Sequence, residues 1–373
     1  MDTIADPLLA DFQGASLLVY NDAVFSEEDF KSIQRIGDSL KKTSETVGKI
    51  GRFGIGFNAV YHWTDLPSFV SSKYLVMLDP QARYLPNVNP SNPGKIVDFT
   101  SKDFNLEEFR DQFLPYEIPT DSKKRNESWT WSRPFVGTLF RLPLRTKLQA
   151  ESSLLSKRHL SLGDAMQLLL SLKEEAASML LFLKNIEQIE IYAIEPQNEK
   201  KSPLSPRLLF GCHIADTSAS LRAQRCYISS SKNLSIGFSS PTAVDFTLTI
   251  LCRGENAEDN RKERWEICNQ LGGPLATAIA CDVDNALLRL IPWGGVAACI
   301  DGQKGTEGHT AKEGVAYCFL PLPIQTQLPV MVNGFFELSS NRRDVWQMGS
   351  DMTGEGRIRA QWNIALMVLF CER

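Results

Sequence analysis

The sequence predicts an α+β fold divided into two domains. Strand-like and helix-like segments are interspersed along the chain, with no internal repeat at a fixed period and no low-complexity tract. A length of 373 residues corresponds to roughly two domains at about 150 residues each. The polar, proline-containing stretch Gln197–Pro206 is the best boundary, giving domains 1–196 and 207–373.

The elements follow in order. Leu17–Tyr20 is a short apolar run ended by the turn-forming Asn21 and Asp22, as expected of a strand. Ser26 followed by Glu27, Glu28 and Asp29 supplies a hydroxyl cap and first-turn acids for a helix running to about Ile36. Residues 37–50 are polar and read as a loop leading into a glycine cluster. Residues 69–78 predict a strand, and Pro80, Pro86, Pro90 and Pro93 make 80–94 an irregular loop. Residues 137–144 alternate as a half-buried strand. Ser161 and Asp164 resemble a capping box with Asp in place of Glu, opening a helix to about Lys184. Strands are expected at 186–194, 208–214, 224–230 and 243–252, followed by a charged stretch at 255–263. Residues 292–297 and 318–323 are apolar segments with turn residues. Residues 364–370 are an apolar segment in mid-pattern, which suggests that the chain is a shortened form of a longer protein.

Composition excludes several classes. Hydrophobic content of 43% and charged content of 23% are those of a globular protein. With a net charge of −4 and no basic stripe, nucleic acid is not the expected partner. The short run Lys123–Arg125 reads as a solvated loop. Eight cysteines begin only at Cys212 and none falls in C-x-x-C, so neither a disulfide framework nor a zinc site is expected. Cys212 and His213 are adjacent, which more often marks a strand residue beside a core thiol than a ligand pair. Tyr61, Trp63, Trp129 and Trp131 are expected in packing. No run reaches membrane-spanning length and no signal-peptide pattern is present, so a cytoplasmic or nuclear setting and no membrane partner are expected.

The most informative stretch is 51–65, where Gly51, Gly54 and Gly56 form G-x-x-G-x-G before an apolar, helix-compatible run. Glycines spaced this way let a backbone approach a ligand closely, and a helix start behind them aims free N–H groups at an anion. The cluster therefore reads as a phosphate cradle, or alternatively as an ordinary tight turn. It is neither a Rossmann fingerprint nor a P-loop.

Three segments in order, 18–25 (Leu-Val-Tyr-Asn-Asp-Ala-Val-Phe), 51–57 (Gly-Arg-Phe-Gly-Ile-Gly-Phe) and 137–142 (Gly-Thr-Leu-Phe-Arg-Leu), resemble the GHKL ATPases of the Bergerat fold. Within that group the sequence is similar to the modules of the sacsin family, related to the ninety-kilodalton heat-shock chaperones. The strings at 293–297, 319–323, 333–336 and 341–343 extend the resemblance over nearly the whole chain. It implies a GHKL α/β sandwich followed by a second mixed α/β domain like the chaperone middle region. It implies ATP or ADP with Mg²⁺ as cofactor, client proteins or other chaperones as partners, and a role in protein quality control. By the same resemblance Asn21 or Asp22 would read adenine, although Ala23 stands where a glycine is usual. Gly51, Arg52, Phe53, Gly54, Ile55, Gly56 and Phe57 would wrap the phosphates, and Thr138 would support the adenine end. Ser39 and Lys41 would lie in the lid. Arg342 or Arg343 would reach the terminal phosphate or else form a structural ion pair.

The family's Glu-x-x-x-Asn-x-x-Asp-Ala helix, whose glutamate orients water and whose asparagine holds Mg²⁺, has no counterpart before the first strand or elsewhere. The expectation is thus a degenerate or truncated ATP site with no catalytic or metal-binding residue of its own. The alternative is an interaction scaffold that keeps only the architecture.

Overall fold

The computed structural model describes residues 6–33, 56–101, 109–118, 129–194, 206–227, 241–301, 313–339, 344–349 and 352–369. The chain divides into two units. The first contains the described residues up to Ser171 together with 193–207, and the second contains Leu172–Tyr192 and the residues from Leu208 onward.

In the first unit, Ser16–Asn21 (β1), Ser68–Ser72 (β2), Tyr74–Leu78 (β3), Gly94–Asp98 (β4) and Phe135–Pro143 (β5) form an antiparallel sheet in the order β1-β5-β2-β3-β4. The expected strand at 69–78 is corrected here to the hairpin β2–β3. Ser72 adopts a left-handed φ of 52°, which reverses the chain in mid-segment. Its apolar residues read as one strand because both arms are buried.

The interior strand β5, between β1 and β2, has two faces, since successive side chains alternate across a sheet. Phe140 packs with Phe69, Phe25 and Phe30, the last on Glu27–Ile33 (α1). Leu139 lies on the opposite face with Val70, Leu75, Phe113, Trp129 and Trp131. The two tryptophans are core residues as expected, their rings 4.6 Å apart. Tyr61 and Trp63 are half-buried.

Both expected caps form. Ser26 and Asp29 exchange hydrogen bonds of 3.0 and 3.2 Å between each backbone N–H and the other's side chain. Ser161 and Asp164 do the same at 2.9 and 3.1 Å, opening the helix Leu162–Met179. The Ser161 hydroxyl and N–H hold the Asp164 carboxyl below its ordinary value. The proline-rich loop after β3 is ordered by buried Asp79, whose Oδ2 accepts the N–H groups of Arg83, Tyr84 and Leu85 at 2.7 to 3.0 Å.

A fully buried ion pair joins two other stretches. Arg145 Nε and Nη2 donate to Asp65 Oδ1 at 2.9 and 2.6 Å, and Ser153 Oγ donates to the same oxygen at 2.8 Å. Arg145 also donates to the carbonyls of Tyr61, His62 and Arg158.

The second unit is built on Gln188–Ala193 (β6), Arg207–Ile214 (β7), Thr242–Gly254 (β8), Arg261–Leu271 (β9), Trp293–Asp301 (β10), Val315–Cys318 (β11), Leu320–Gln325 (β12) and Met331–Gly334 (β13). Their order is β12-β11-β13-β10-β9-β8-β7-β6, with β11 parallel to β13. The helices Pro274–Cys281 and Gly354–Val368 pack together over Leu288, Val332 and Phe336. The strand expected at 224–230 is corrected for its described part. Residues Ala219–Cys226 form a helix because Ser218 Oγ accepts the Leu221 N–H and because Leu221 and Arg225, one turn apart, are both buried. Cys212 lies opposite Cys252 in the β7–β8 ladder, and burial pushes its thiol up to about 12, so it behaves as a core thiol. Among the described residues no helix is long and apolar enough to cross a membrane.

Removing one partner of a buried pair strands the other charge. Asp65→Ala should therefore lower the stability of the first unit by about 3–5 kcal/mol, read as the urea midpoint of its tryptophan fluorescence. Replacing both partners by apolar residues should recover most of that loss.

Candidate functional site

Thr138 is fully buried, and its register partners in the sheet are Asn21 on β1 and Ser71 on β2. These residues form one polar cluster at the end of the three strands. Thr138 Oγ1 donates to the Ala23 carbonyl at 2.8 Å and lies 2.9 Å from Ser71 Oγ. Ser71 Oγ donates to the Gly137 carbonyl at 3.0 Å and accepts the Phe25 N–H at 3.0 Å. Asn21 Oδ1 accepts the Ala23 N–H at 3.1 Å, closing an Asx turn. Asp22 at the tip of that turn is exposed. The 20–25 turn is thus held from beneath by two buried hydroxyls and from within by Asn21.

Gly137 is needed for this arrangement. Its φ is +100°, and a Cβ there would come within 2.5 Å of the Asn21 carbonyl and 2.7 Å of the Tyr20 ring. Gly56 differs, because a Cβ built on it meets nothing within 4 Å among the described residues. It precedes a 3-10 helix, Phe57–His62, where the sequence indicates a helix start. Phe57 faces the aromatic layer, 6.0 Å from Phe140. Among the described residues Gly56 therefore borders open space, next to a residue of the aromatic layer on the Thr138 face.

The structure brings Asn21, Asp22 and Thr138 together through the turn and places Gly56 and Phe57 on the segment tied down by Asp65. Ser39, Lys41, Gly51, Arg52, Phe53, Gly54, Ile55, Arg342 and Arg343 lie outside the described residues. Ser71 is missed by the sequence reading. Its position two residues after Phe69 puts it on the same face of β2, but serines at 68 and 72 leave it without a distinguishing signal in the sequence. Among the described residues no group of three or more His, Cys, Asp or Glu side chains is placed to hold a metal ion.

The model of the Sacsin domain family matches residues 1–205, more than half of the chain. The chain belongs to the sacsin domain family. It is also 34% identical to human sacsin over 373 residues, an alignment that covers 98% of this chain and 8% of that protein. The chain thus spans about 8% of the length of this curated relative. Of the motifs, 18–25 lies on β1 and the turn after it, 137–142 lies on β5, and only Gly56 and Phe57 of 51–57 are among the described residues.

The second unit carries its own polar cluster around the Trp-Gly-Gly string. A Cβ on Gly295 would lie 2.2 Å from Asn269 Oδ1, so glycine there admits the buried amide across the β9–β10 ladder. Asn333 Oδ1 accepts the Phe319 N–H at 2.8 Å, holding Phe319 at a φ of 65°. Lys184 Nζ sits 4.1 Å from the Trp293 ring centre, a cation–π contact. Burial lowers the Lys184 ammonium from its ordinary 10.5 to about 8.

Two outcomes follow. Gly137→Ala should destabilise the first unit by more than about 1 kcal/mol, whereas Gly56→Ala should stay within about 0.5 kcal/mol in thermal unfolding. For Lys184 the folded state binds fewer protons than the unfolded chain between about pH 8 and 10.5, so this group makes stability rise with pH across that window. Lys184→Met should be more stable than wild type at pH 7, with the gap closing as pH rises through 8 towards 10, measured by urea unfolding.

Proposed function

We propose that the chain is a chaperone-type module of protein quality control whose first unit carries a degenerate ATP site of GHKL type. The observation that supports this reading is the polar cluster of Asn21, Ser71, Gly137 and Thr138 beside the open space at Gly56. A buried hydroxyl pair at the end of adjacent strands holds the turn that would meet the adenine. A glycine bordering empty space, ahead of a short helix, suits phosphate oxygens. Asn21 is the better placed of the two adenine candidates by turn geometry, while exposed Asp22 is the freer.

In this proposal ATP or ADP acts as a conformational ligand, and any Mg²⁺ reaches the site with the nucleotide rather than through a residue of this chain. The partners are client proteins or other chaperones, and the setting is cytoplasmic or nuclear. The scaffold reading draws on a specific observation too. Asn21 Oδ1 and the Thr138 hydroxyl are engaged within the protein, so the cluster stands without a ligand.

Isothermal calorimetry with ATP and ADP in the presence of Mg²⁺ separates the two readings. Nucleotide should bind the wild type, and Gly56→Val should lose it while keeping the wild-type circular dichroism and melting temperature. Absence of binding to folded wild type would reduce the site to architecture and put the scaffold reading first.

A further inference from the structure

Arg141 lies on β5 between Leu18 and Ser68, on the face away from Thr138, and is 5% exposed. Its Nη2 donates to the Phe12 carbonyl at 2.8 Å and reaches Gln13 Oε1 at 3.4 Å. Its Nε–H is buried and has no acceptor. Among the described residues no carboxylate pairs with it, and the titratable neighbour that bears on it is Tyr116. This is a costly arrangement. A buried guanidinium normally meets an acid, because an uncompensated buried cation is strongly disfavoured. Burial accordingly pulls the Arg141 guanidinium below its ordinary value.

A cavity of about 20 Å³ adjoins the group, lined by Arg141, Gln13, Ser68, Gln112 and Tyr116 together with apolar side chains. Every polar side chain on that wall can donate a proton, and none is acidic. Tyr116 is fully buried and its phenol is pushed up to about 12, so it stays protonated and donates to Ser68 Oγ at 2.6 Å. That contact leaves the Ser68 proton for another acceptor. The volume admits one or two water-sized bodies. It excludes phosphate, carboxylates and nucleotides on size.

We propose that this cavity binds a single halide-sized monovalent anion, physiologically chloride, as the counter-charge of Arg141. Arg141 supplies the positive charge on the cavity wall and the Ser68 hydroxyl supplies a donor. The anion would fix β5 and β2 to the 3-10 helix Pro7–Phe12 and to the Tyr116 segment. This site is independent of the nucleotide reading, since it lies on the other face of the sheet.

The test uses the full chain at constant ionic strength with sodium gluconate replaced stepwise by chloride or bromide. The melting temperature should rise by a few degrees and saturate. Bromide-soaked crystals should give an anomalous peak in the cavity lined by Arg141 and Ser68. Ser68→Ala keeps the charge and removes one donor, so it should weaken the halide response several-fold. Arg141→Met should abolish it. If Arg141→Met does not fold, the bromide peak in wild type and the Ser68→Ala titration still decide. Equal melting in gluconate and chloride, with no bromide peak in the cavity, would overturn the proposal and leave a water-filled space.

Discussion

The Asp65–Arg145 pair is the constraint on which the first unit's candidate site depends. Asp65 ends the segment that begins at Gly56, and Arg145 follows directly on β5, the strand that carries Thr138. The guanidinium spans Asp65 and the carbonyls of Tyr61 and His62, so it fastens the last turn of that segment as well as its acid. A backbone bond from the Arg145 N–H to the Trp63 carbonyl, at 2.8 Å, adds to the same joint. Fully buried charges hold one geometry only when their remaining donors are engaged. Here those donors go to main-chain carbonyls, which turns an expensive pair into a positional clamp between the glycine segment and the sheet.

The same strand then divides its work by alternation. Thr138 and Phe140 look towards Ser71, Phe69 and the α1 aromatic layer, while Leu139 and Arg141 look towards the tryptophan core and the cavity beside Ser68. One register therefore sets both the hydroxyl cluster and the buried guanidinium. A one-residue slip of β5 would exchange the two faces, placing Arg141 among phenylalanines and Thr138 in the core. The flanking register of Asn21 with Thr138 and the bonds of Ser71 to Gly137 and Phe25 oppose such a slip.

Much of this was legible in the chain. The α+β class, the capped helix starts and the placement of Trp129 and Trp131 follow from periodicity, cap chemistry and bulk. The family's ordered motifs pointed to Asn21, Asp22, Gly56, Phe57 and Thr138. The misreadings have physical causes. Residues 69–78 are apolar in both arms because β2 and β3 are both buried, and the polar Ser71-Ser72-Lys73 between them, which holds the left-handed turn at Ser72, is too short to break the pattern by hydropathy alone. The 224–230 stretch has strand-like composition, yet a hydroxyl cap at Ser218 and burial one turn apart at Leu221 and Arg225 outweigh it. Ser71 and Arg141 could not be assigned roles without register, because what gives each its surroundings is a residue on another strand.

The proton count at the hydroxyl cluster decides how it can serve a ligand. Thr138 and Ser71 have one hydroxyl proton each, and between them they face the Ala23 carbonyl, the Gly137 carbonyl and their mutual contact. Two protons cannot fill all three donor demands, so one contact is always a lone-pair approach. Both side chains are 0% exposed, which keeps them from touching anything outside the turn. They are positioning residues. Their effect on a bound base would pass through the backbone of 21–25, whose shape they set, and through Gly137, whose missing Cβ lets β1 close onto β5. A ligand that read this end of the sheet would therefore be sensitive to Ser71 and Thr138 through the geometry of the turn rather than through a direct bond, whereas Gly56 would act by the space it leaves empty.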